Sequence, residues 1–151
     1  MAIIVNQSNS EIYFGNLKVA TAAVYPGMGV TPDFSAGTCA KLADNEVAGA
    51  CVVCNYDPYA DYNKTDSDEY SVAVGKYARL KKLLVGDIIS TDQYTGSLSV
   101  DDIVMIGDAN DTGHEGEWIA TGGTPIVTGV VIETGVDVFG ETGVKIQILT
   151  A

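Results

Sequence analysis

The chain has one histidine, eight lysines and arginines together, and three cysteines in 151 residues. Each scarcity closes off a class of function. A single histidine, His114, leaves few options for a general base, and no serine, cysteine or carboxylate constellation accompanies it at a recognisable spacing. The few basic residues stand against 20 acidic ones, for a formal charge of −12. A surface of that sign repels phosphate backbones and argues against direct nucleic-acid binding. An odd number of cysteines argues against a secreted disulfide framework. No apolar run approaches the roughly 18 residues that a membrane-crossing helix needs. Neither a phosphate-cradling G-x-x-x-x-G-K loop nor a dinucleotide fingerprint occurs. The opening MAIIVNQSNSEIYFG lacks the basic, apolar and cleavage regions of a signal peptide, so synthesis in a cytoplasm is expected. These absences lead to the expectation of a non-enzyme without cofactors.

What is present is glycine and short β-branched runs. With 46% hydrophobic and 19% charged residues, a chain of this size buries a real core and forms one domain. GVKIQIL (143–149) alternates, with Val144, Ile146 and Ile148 on one face and Lys145 and Gln147 on the other. GNLKVATAAV (15–24) alternates weakly. KLLVGDIIS (82–90) and DDIVMIGD (101–108) are apolar runs between turn residues. SVAVGKYARLKKLL (71–84) reads mainly as strand, because Gly75 interrupts any helix and Val72, Val74 and Tyr77 favour extended backbone. Glycine turns punctuate the rest: YPGMG, YTGS, NDTG, TGGTP and FGETG. The expected fold is all-β, a small barrel or β-tulip-like domain with little helix.

A weak internal repeat runs through these strands. PGMGVTPD (26–33) aligns with VGDIISTD (85–92). GTCAKLADNEVAGACVVCN (37–55) resembles GEWIATGGTPIVTGVVIET (116–134), with Val47 on Val127, Gly49 on Gly129 and Val52 on Ile132. The second copy then carries an extra stretch at roughly 97–115. The expected organisation is an N-terminal arm (1–16) and a β domain (17–151) of two related halves, about 17–70 and 71–151.

The repeat decides how to read Cys51 and Cys54, whose C-x-x-C spacing suits a redox motif or half a zinc site. Their counterparts, Val131 and Thr134, belong to a plain apolar strand. Residues three apart on a strand also point to opposite faces. Both thiols are therefore expected in the wall of the core.

GDANDTGHEGE (107–117) begins like a calcium loop, with Asp108, Asn110 and Asp111 as weak ligand candidates. The twelfth position, however, holds Ile119 instead of an acid, and flanking helices are missing. A polar hairpin loop is the simpler reading. NYDPYADYNKTDSDEY (55–70) interleaves acids with Tyr56, Tyr59 and Tyr62. A solvated loop and a protein-contact loop fit those residues equally. Lys76, Arg79, Lys81 and Lys82 form the one basic cluster and are the other contact candidates.

An apolar strand ending in a glycine turn (VYPGMGV, LLVGDIIS), a return strand of the form VAGACVV or IVTGVVIE, and a final alternating strand GVKIQIL together resemble the small decoration proteins of bacteriophage capsids. These are also called cement or head-stabilising proteins, and the base domain of some head fibres is similar. The resemblance spans about residues 17–149 and rests on structural motifs. It implies a β domain, often trimeric, on the capsid exterior of the virion, bound to neighbouring major capsid proteins and lacking catalytic residues. Two other classes remain open: an adhesion module using the tyrosine-rich loop or the 108–117 loop, with calcium as an option, and a small β enzyme using clustered carboxylates.

Overall fold

The computed structural model describes residues 3–4, 13–54, 71–138 and 140–151, and among them there is no helix. The described residues form eleven strands in chain order. They are β1 (Ile3–Ile4), β2 (Tyr13–Val19), β3 (Gly29–Asp33), β4 (Thr38–Lys41), β5 (Cys51–Val53) and β6 (Tyr77–Lys82). Then follow β7 (Ile88–Thr91), β8 (Ile103–Ile106), β9 (Trp118–Ala120), β10 (Thr128–Val138) and β11 (Glu141–Thr150). The all-β barrel architecture expected from the glycine turns and β-branched runs is the one observed.

Strands β2 to β6 close into a barrel in the order β2-β4-β3-β5-β6. Strands β7 to β11 lie in a six-stranded sheet with β1 at one edge, in the order β1-β7-β11-β10-β8-β9. The two sets follow one circuit. β3 lies between β4 and β5 and is antiparallel to both, and β8 lies in the same way between β9 and β10. β6 runs antiparallel beside β5 and returns to β2; β11 runs antiparallel beside β10 and returns to β7. The parallel pair β2–β4, where Val19 faces Cys39, closes the first circuit. A lone parallel bridge between Tyr94 and Trp118 stands at that place in the second. The free edge of β7 is taken by β1, with Ile3 opposite Ser90.

This topology revises the expected alignment. Segments 37–55 and 116–134 do hold equivalent strands, β4 with β5 and β9 with β10, but not as hairpins, because each pair flanks a third strand. That third strand is β3 in one circuit and β8 in the other. The stretch 97–115 is therefore no insertion, since it contains β8, and 26–33 corresponds to β8 instead of to 85–92. The first circuit also extends to Lys82, so β6 belongs with β2 and not with the second half. Residues 13–16, expected in an arm, are already part of β2.

Two cores result. The first fills the closed barrel with Leu17, Val19, Val30, Cys39, Cys51, Val53 and Leu80, among others. The second gathers Ile89, Val104, Ile106, Trp118, Val131, Val144, Ile146 and Ile148, together with Leu42, Ala50, Val52 and Leu83 from the first circuit. Those last four lie on the outer wall of the barrel, so the second circuit stands with its interior against that wall. Each buried aliphatic side chain contributes about 1.5–3 kcal/mol, which makes this shared core a strong joint. Close approach requires Gly29: a Cβ there would land on the Ile106 side chain. The Gly29 N–H donates to the Gly116 carbonyl at 2.7 Å, and the Trp118 indole N–H donates to the Gly27 carbonyl at 3.1 Å.

Candidate functional site

The joint between the circuits also gathers the polar groups. After β4 the chain forms a loop, residues 43–50, that docks on the second circuit. Ala43 accepts a bond from the Ala109 N–H at 3.4 Å, and the Asn45 carbonyl accepts one from the Ile126 N–H at 2.8 Å. The Asn45 side-chain amide donates to the Ile106 carbonyl at 3.4 Å. Glu46 reaches across to Thr124, whose hydroxyl lies 2.7 Å from Oε1. Between this loop, the 108–111 turn and Gly122–Gly123 lies an open cleft of about 520 Å³, with Asp44, Asn45, Glu46, Asp108 and Asn110 among its lining residues.

Asp108, one of the residues lining that cleft, is buried. Its Oδ1 accepts the Asn110 N–H at 2.8 Å, and its Oδ2 accepts the Asn45 N–H at 3.2 Å. Its own N–H donates to Asp111 Oδ2 at 3.0 Å. The bonds from Asn110, foremost, and from Asn45 hold its carboxyl below the ordinary carboxylate pKa. Both oxygens of Asp108 and one of Asp111 thus serve backbone N–H groups, tying a turn to the facing loop. Asn110 is exposed. Among the described residues no three histidine, cysteine, aspartate or glutamate side chains are grouped to hold a metal ion. His114 Nδ1 lies 3.0 Å from Glu117 Oε2 on the exposed side of this loop.

The contact candidates separate. Lys76, Arg79 and Lys82 are exposed on and beside β6. Lys81 is not at the surface: it is 1% exposed and pairs with the buried Asp87. The alternation of β6 explains the correction. Ala78 and Leu80 point into the barrel, which leaves Lys81 on the outer wall, where the second circuit covers it. Asp87 also accepts the Leu84 N–H at 2.9 Å, so the pair closes the connection between the circuits. Tyr56, Tyr59 and Tyr62 lie outside the described residues.

The cysteines are free thiols, with Cys39 and Cys51 buried and Cys54 half-buried. Burial pushes Cys51 and Cys54 each up to about 11, far from the thiolate that redox or metal chemistry needs. Cys51 packs inside the barrel, and the Cys54 thiol lies 3.3 Å from the Arg79 carbonyl. The reading of this C-x-x-C as wall holds for Cys51, while Cys54, just past the end of β5, is half-buried and belongs to neither core.

Two groups at the joint were not legible in the sequence. Asn45 and Asp87 look like ordinary turn residues. Asn45 does its work through Ile106, Asp108 and Ile126, far along the chain, whereas Asp87 acts on the nearby Lys81 and Leu84. No family model, curated protein or solved structure matches this chain.

Proposed function

We propose that the protein is a structural component of a bacteriophage virion that binds the outside of the capsid and stabilises the expanded head by bridging neighbouring major capsid proteins. The observation that carries this reading is the use to which the buried polar side chains are put. Asp87, Asp108 and Lys81 bind one another or backbone N–H groups at the joint between two β circuits. The product is a stiff acidic block, and stiffness with a broad outer surface is what a bridging protein requires. The strand and glycine-turn pattern that resembles capsid decoration proteins supports the same reading.

The mechanism is linkage. A protein that binds the assembled shell but not its separated subunits stabilises the shell through binding alone. A contact of nanomolar quality contributes about 12 kcal/mol per site, repeated over many equivalent sites. Trimeric assembly on the shell would add avidity, because tethered contacts engage at high effective concentration. The acidic exterior would meet basic capsid loops, and the exposed Lys76, Arg79 and Lys82 would meet acidic ones.

Co-sedimentation with undecorated, expanded phage heads tests this. Saturable binding at a fixed ratio to the capsid protein, with heads that survive higher temperature, is the expected outcome. Protein left in the supernatant at every head concentration would overturn the reading. One observation favours a second class: the open cleft lined by Asp44, Asn45, Glu46 and Asn110 offers carboxylate and amide groups to a polar ligand, as an adhesion module would. Binding to host envelope material but not to heads would select that alternative.

A further inference from the structure

The loop 43–50 borders a second hollow besides the open cleft. This hollow, about 190 Å³, is lined by Thr31, Leu42, Val47, Ala48 and Ala50 together with Ala43 and Asp44. Ala43 and Asp44 also line the cleft, so the two adjoin. Its walls are aliphatic apart from Asp44 and the Thr31 hydroxyl, which accepts the Ala43 N–H at 3.2 Å. Leu42 and Ala50 are buried, whereas Val47 is 58% exposed. An apolar cavity of roughly 150 Å³ admits benzene, so this hollow has room for one aliphatic side chain.

The adjoining cleft is of the opposite kind. Asp44, Glu46, Asp108 and Asp111 line it, and among the described residues no lysine, arginine or histidine does. Both Asp108 oxygens are engaged by backbone N–H groups. Asp44 gives one oxygen to the Glu46 N–H at 2.9 Å, Glu46 one to the Thr124 hydroxyl, and Asp111 one to the Asp108 N–H. That leaves one oxygen of each for an incoming donor. The matching segment of the second circuit carries Gly122, Gly123, Thr124 and Pro125 where this loop has Ala43, Asp44, Asn45 and Glu46. It also buries Val127 where this loop exposes Val47. Neither the acids nor the exposed valine is therefore needed to connect the strands.

We propose that hollow and cleft together receive a basic, extended segment of a partner protein. One aliphatic side chain seats against Leu42, Val47 and Ala50, and a neighbouring lysine or arginine lies along Asp44, Glu46 and Asp111. Charge complementarity selects this occupant. An acidic segment would be repelled by the three carboxylates and by a chain of charge −12, and a second copy is disfavoured on the same ground. A purely basic ligand would leave the apolar hollow unfilled. The loop is already held by the bonds of Asn45 to Asp108, Ile106 and Ile126, so the cost of ordering falls on the segment alone. The inference fixes the chemistry of the segment and not the protein that carries it, and it stands or falls apart from the capsid reading.

Titration of the full chain with two synthetic peptides, followed through backbone amide NMR signals, tests it. One is acetylated and amidated Gly-Lys-Lys-Leu-Lys-Lys-Gly; the other has serine in place of the leucine. Saturable shifts at Asp44, Val47 and Ala48 are expected, with the leucine peptide bound about tenfold more tightly. Asp44→Asn combined with Glu46→Gln should weaken its binding about fivefold, with an unchanged thermal melt. Asp101→Asn combined with Glu141→Gln makes the same charge change at exposed positions outside the cleft and should weaken it less than about twofold. Val47→Asp adds attraction for lysine yet should abolish the preference for leucine over serine. Equal affinity for the two peptides in wild type would overturn the proposal, since charge alone would then account for binding. Equal losses in the two double variants, shifts lying away from the 43–50 loop, or no saturable shift with either peptide would overturn it as well.

Discussion

Lys81 and Lys82 are neighbours in sequence and opposites in environment. The doublet reads as a solvated basic patch, and for Lys82 that is correct. Lys81 lies under the joint, beside Asp87, because β6 has two covered faces where its pair of lysines begins. Removing one partner of such a pair leaves a buried charge without compensation, which costs about 3–5 kcal/mol. Lys81→Met and Asp87→Asn are each expected to lower unfolding stability by about that amount, while Lys82→Met changes it by less than about 0.5 kcal/mol. Urea denaturation of the three variants measures this directly, and equal effects at 81 and 82 would refute the burial argument. Replacing both partners with apolar side chains should recover much of the loss. Cys51 shows the reverse case, a residue whose environment was legible. Comparison with its sister segment placed it in the wall, and it lies in the barrel core. The difference is that a repeat carries information about burial, whereas a lysine's type alone points the wrong way.

Strands were readable where one face met water. β11 alternates Val144, Ile146 and Ile148 inward against Lys145 and Gln147, and its burial follows that pattern. β5 gave an unbroken run, Cys51-Val52-Val53, and all three are buried. The lost alternation has a cause: Cys51 and Val53 face the barrel interior, and Val52 faces the second circuit. A strand covered on both sides loses its period-two signature. Glycine at the joint was equally opaque. Gly29 has no positive φ, so it is not a turn glycine; it is needed because Ile106 presses on the backbone there. Gly29→Ala is expected to destabilise by about 1–3 kcal/mol through overpacking. Gly15→Ala, with open space at its Cβ, should be close to neutral. In a double-mutant cycle, Ile106→Ala, which removes both Cγ2 and Cδ1, should cost less in the Gly29→Ala background than in wild type. Additive costs would mean that the two residues do not press on each other.

At the scale of the molecule, repetition was visible in sequence but its consequence was not. Local similarity matched β4 and β5 to β9 and β10, since those segments share glycine spacing and apolar runs, although Val47 is exposed where Val127 is buried. It could not show that one circuit stands on the other, because that depends on which outer wall is apolar in three dimensions. The wall residues Leu42, Ala50, Val52 and Leu83 are scattered over 42 positions of sequence, counting from Leu42 to Leu83 inclusive. Their sharing of one core with the second circuit has a thermodynamic consequence. Separating the circuits exposes that wall and the Trp118 interior together, so the second circuit loses part of its only core and the first bares an apolar wall around its own. Unfolding is therefore expected as a single cooperative transition. Trp118 is the chain's one tryptophan, buried at the joint, while far-UV circular dichroism reports strands in both circuits. The two signals should give the same midpoint in urea. A tryptophan transition that precedes the loss of strand signal would mean that the joint opens first, leaving two independently stable circuits. The shared core would then be a contact between two domains and not the centre of one.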